Sequence, residues 1–65
     1  MGDPMRTYSE ALELALMSAR NARSASTKQV ARELWKMALE YQADAAKLGN
    51  GRAPDLGSPP DTLKD

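Results

Sequence analysis

The chain has no cysteine and no histidine among its 65 residues. The first absence excludes disulfides, and the two together remove the thiolate and imidazole ligands from which structural zinc sites are built. They also remove the usual general base and the most readily activated nucleophile. Catalysis would fall to carboxylates, lysines, serines or tyrosines in a pocket that so short a chain can hardly enclose, so neither an enzyme nor a cofactor is expected. Net charge is lacking too. Nine basic and nine acidic residues cancel, which speaks against the broad basic surface of a nucleic-acid binder. No run approaches the roughly 20 apolar residues of a membrane span. Met1-Gly2-Asp3-Pro4 shows neither the basic start nor the apolar core of a secretory signal, and a cytoplasmic location is expected. Without disulfides or a metal, stability must come from tight helix packing or from assembly.

What is present is helical. After a lead over 1–6, in which Asp3-Pro4 could itself open a helix, Thr7-Tyr-Ser-Glu10 matches a capping box. From there to about Arg23 the chain is rich in Ala, Leu, Glu and Met and holds no Gly or Pro. Arg20 and Arg23 suit the negative end of that helix. Ser24-Ala-Ser-Thr27 breaks the pattern, because short hydroxyl side chains compete for backbone hydrogen bonds. Ser26-x-x-Gln29 is a second capping-box candidate. A helix from about 27 should run to Leu48, about 33 Å at ~1.5 Å per residue, and stop at Gly49 in a left-handed conformation, reinforced by Asn50-Gly51. The expected order is helix 1 over about 7–23, a loop at 24–26, helix 2 over about 27–48, and a Pro/Gly-rich tail over 49–65. That tail has few large apolar residues and is expected to be flexible or extended, with Leu56 and Leu63 as anchors.

Two helices joined by so short a loop form an antiparallel hairpin. Tyr8, Leu12, Ala15, Ala19 and Ala22 follow steps of four and three, as do Val30, Leu34, Met37 and Tyr41, with Leu48 completing the line. Facing each other, these lines would set small residues against large ones. A second apolar line is left over on helix 2, at Ala31, Trp35, Leu39 and Ala46, with Leu14, Leu16 and Met17 on helix 1. Exposed, it would mark an interaction site. The expected partner surface is therefore Leu14, Met17, Ala31, Trp35, Leu39 and Ala46. Its occupant would be a second copy, giving a homodimeric four-helix bundle, or another helical protein. The competing expectation folds the tail back over Trp35, with Pro54, Leu56 and Pro59 as its cover.

Arg20, Arg23, Lys28 and Arg32 gather toward the loop end as a basic patch. Without interleaved aromatics or a DNA-reading motif it is expected to be a solvated bundle end. A nucleic-acid accessory role through this patch is one alternative, and a peripheral membrane binder using Trp35 and Leu39 is another. The pairs Glu10/Glu13 and Glu40/Asp44 lack the histidine of ferritin-like metal sites and are expected to be caps and solubilising charges. Tyr8 and Tyr41 are expected in the seam.

The second helix, Val30-Ala-Arg-Glu-Leu34-Trp-Lys-Met37-Ala-Leu-Glu-Tyr41, followed by Pro54-Asp55-x-Gly57-x-Pro59-Pro60, resembles small uncharacterised helical-hairpin proteins of alphaproteobacteria such as rhizobia. The likeness spans about residues 11 to 60. It implies a hairpin and a bacterial cytoplasm, and carries no activity or site residue.

Overall fold

A computed structural model describes residues 7–63; the lead over 1–6, including the Asp3-Pro4 helix start, lies outside the described residues. Two helices pack against each other, α1 over Tyr8–Arg23 and α2 over Lys28–Leu48, followed by a short 3-10 turn at Asp61–Leu63. Among the described residues there is no strand.

The helix ends follow from local chemistry. Thr7 is extended, its hydroxyl accepts from the Glu10 amide at 3.1 Å, and the Glu10 carboxylate accepts from the Thr7 amide at 3.2 Å. The capping box therefore forms in full. At the other end the Ser24 amide and hydroxyl both donate to the Arg20 carbonyl, each at 3.2 Å, using up an orphan acceptor. Thr27, not Ser26, caps α2, its hydroxyl accepting from the Val30 amide at 3.2 Å. That register makes Val30 the third helical residue, so no carboxyl or amide side chain sits where a reciprocal bond would need it. Gly49 differs from expectation as well. Its φ is −104°, and the left-handed residues are Asn50 at 57° and Gly51 at 91°. Gly49 is small for another reason: a Cβ there would lie 2.6 Å from Cε1 of Tyr8.

The seam between the helices is made of alanine. Ala11, Ala15, Ala19 and Ala22 on α1 and Ala31, Ala38 and Ala45 on α2 all have 0% exposure, with Ser18 buried beside them. This corrects the small-against-large seam. Two of the buried α2 alanines follow large residues of the expected line by one position, Ala31 after Val30 and Ala38 after Met37, a turn of about 100°. The physical reason is distance: two alanine faces let the backbones approach more closely than a line of Leu, Met and Tyr allows.

Between the turn at 49–51 and the 3-10 turn at Asp61–Leu63 the tail has no regular structure, and it packs. Pro54, Leu56 and Pro60 are buried, and Leu56 joins Ala15, Ala19 and Ala38 in a cluster against which Trp35 and Tyr41 pack. Arg23 Nη1 donates to the carbonyls of Leu56 at 2.8 Å and Ser58 at 3.1 Å, and Gln42 Nε2 donates to the Pro54 carbonyl at 2.9 Å. Those carbonyls are presented by a local turn. The Asp55 carboxylate accepts from the Gly57 amide at 3.0 Å, and Gly57 has a φ of 80°, a conformation glycine adopts without cost.

Candidate functional site

The alanine line divides α2 into two flanks. On one lie Trp35, Leu39, Gln42 and Ala46; on the other, by the same helical spacing, lie Val30, Leu34, Met37, Tyr41 and Leu48. Gln42 bonds to the tail and Trp35 packs on the Leu56 cluster, so the tail borders the first flank, on which Leu39 stays 44% exposed. On the second, Val30 is 48% exposed, Met37 41% and Leu48 47%, while Leu34 and Tyr41 are half-buried, Tyr41 against the Leu56 cluster.

This arrangement disperses the six residues expected to form a partner surface. Ala31 is fully buried in the seam. Trp35 packs against the Leu56 cluster, as in the competing expectation, although Pro59 is exposed and Pro60 takes the buried position instead. Leu39 is exposed and Ala46 half-buried on the tail's flank. Leu14 is half-buried, nine positions and so two and a half turns from Arg23, on the side of α1 away from the tail. Met17 lines a groove of about 310 Å³ on α1 with Glu13, Leu16, Arg20 and Arg23. Ala31 and Trp35 are thus taken up within the hairpin.

The basic residues fall into two pairs, one on each helix. Arg20 and Arg23 both line the α1 groove with Glu13, and Arg23 also donates to two tail carbonyls. Lys28 and Arg32 are exposed on the first turns of α2. Chemically, the groove offers one carboxylate and two guanidiniums on an open surface, where water screens each charge. Among the described residues no group of three or more acidic, His or Cys side chains could hold a metal, and no buried side-chain nitrogen or oxygen lacks a hydrogen-bond partner. No described helix is long and apolar enough to cross a membrane.

The residue-level signal for the exposed flank was present in the sequence as two competing periodicities on α2. Ala31, Ala38 and Ala45 recur every seven residues; so do Val30 and Met37, and Leu34, Tyr41 and Leu48. Either line can face a neighbour. No protein-family model matches the chain, and no curated protein or solved structure is found similar to it.

Proposed function

We propose that this chain is a small, non-catalytic helical interaction module of the cytoplasm, and that its contact surface is the exposed flank of α2. The observation that carries the proposal is the exposure of Val30, Met37 and Leu48, all at 41% or more, on residues that keep a coiled-coil spacing. Large apolar residues aligned at that spacing and left near water mark a surface meant for another helix. The alanine seam meets α1, and Val30, Met37 and Leu48 are left outside it. Assembly of two hairpins into a four-helix bundle is the simplest use of that flank.

A photoreactive amino acid placed at position 37 in cells tests the proposal. Covalent adducts are expected there and not at Arg52, an exposed residue after the α2 stop. Equal or absent labelling at the two positions would remove the basis for an interaction surface on α2.

A further inference from the structure

The exposed flank has a charge pattern that selects its occupant. Val30, Leu34, Met37, Tyr41, Asp44 and Leu48 follow steps of four, three, four, three and four. Bordering them at seven-residue intervals are Glu33, Glu40 and Lys47 on the solvent side, all exposed, and Ala31, Ala38 and Ala45 on the seam side. We infer that the occupant is a second copy of this chain, its α2 packed antiparallel against the first about a two-fold axis that passes between Met37 and Tyr41. The inference rests on the interaction-module reading and names the partner for it.

Antiparallel packing sets Met37 against Tyr41 of the second copy, Val30 against Leu48, and Leu34 against Asp44, since paired positions share one sum about the axis. The bordering positions come nearest each other two positions off that sum, where Glu33 meets Lys47 of the second copy, and the symmetry makes that pair twice. Only Glu40 meets its own kind, at the axis. Parallel packing removes that Glu40 pair but does worse otherwise. It brings the two Asp44 carboxylates face to face in the apolar line, and it aligns Glu33 and Glu40 with alanines, so that no ion pair forms. Isologous, antiparallel contact is the arrangement that these charges favour.

Met37, Glu33 and Lys47 are exposed in the single hairpin and outside its alanine seam, so changing them tests assembly without unfolding the chain. Light scattering on a dilution series of the full chain is expected to give twice the chain mass. Lys47→Glu should weaken the dimer on the order of tenfold, the sum of two lost surface pairs. The double variant Glu33→Lys/Lys47→Glu should restore it, while helicity by circular dichroism stays at the level of the parent chain. Monomer throughout, or a dimer indifferent to Lys47→Glu, would overturn the inference. The mass of the position-37 adduct separates the two levels of the proposal. An adduct at twice the chain mass supports the second copy. One of another mass overturns the second copy and leaves the module standing, and no adduct overturns both.

Discussion

Arg23 and Leu56 stand 33 positions apart in the chain and are joined by a hydrogen bond of 2.8 Å from the guanidinium to the main-chain carbonyl. The contact fastens the tail across both helices, together with the second bond from Arg23 to Ser58 and the bond from Gln42 to Pro54. Because the acceptors are carbonyls, the tail's side chains at 56 and 60 are left to be buried rather than to hold the segment in place.

Arg23→Ala is therefore expected to loosen the tail while leaving α1 and α2 folded. The loss should be about 1–2 kcal/mol, near the low end for bonds to a charged donor because Arg23 as a whole is exposed. Trp35, no longer covered by Leu56, should shift its emission to the red. Urea unfolding and fluorescence on one sample check both; unchanged emission would mean that apolar burial alone holds the tail.

Gly49 is expected to resist enlargement. A Cβ at 49 would meet Tyr8 Cε1 at 2.6 Å and Cδ1 at 2.8 Å, and the ring must move or the end of α2 must open. Gly49→Ala should cost about 1–2 kcal/mol as overpacking. In a Tyr8→Ala background most of that cost should disappear, since a φ of −104° suits any residue and only the 3.2 Å approach to the Ala45 carbonyl oxygen remains. A double-mutant cycle by thermal melting measures the coupling.

The register of the seam is checked by two neighbouring residues with opposite surroundings. Ala38 has 0% exposure and Met37 is 41% exposed. Ala38→Leu should destabilise the hairpin by about 2 kcal/mol or more as it forces the helices apart, while Met37→Leu should change stability by less than about 0.5 kcal/mol. The reverse ranking in denaturant midpoints would restore the seam of large residues.

Where each helix begins was legible in the sequence, because caps are local. Thr7 with Glu10, and the hydroxyl run before Lys28, need only their neighbours to act. The seam was less legible for a physical reason. Hydropathy ranks Val30, Leu34 and Met37 above Ala31 and Ala38 as buried residues, whereas close backbone approach ranks them the other way, and the choice is made between helices. That is why Ala31 was expected on a partner surface and lies in the seam. The tail followed the same logic. Its proline and glycine content shows an extended segment, but the pins on it, Arg23 and Gln42, come from distant positions and bind main-chain atoms that carry no sequence signature.

The central claim is that α2 meets its partner along the Met37 flank and not along the flank of Trp35 and Leu39 that the tail borders. Met37→Glu and Leu39→Glu place the same charge on either side of the alanine seam, at residues of similar exposure, 41% and 44%. The direct measurement is molar mass by light scattering for the two variants beside the parent chain. Met37→Glu is expected to give a folded monomer with association weakened at least ~100-fold, and Leu39→Glu to retain the mass of the parent dimer. Dissociation by Leu39→Glu with Met37→Glu still dimeric would contradict the account.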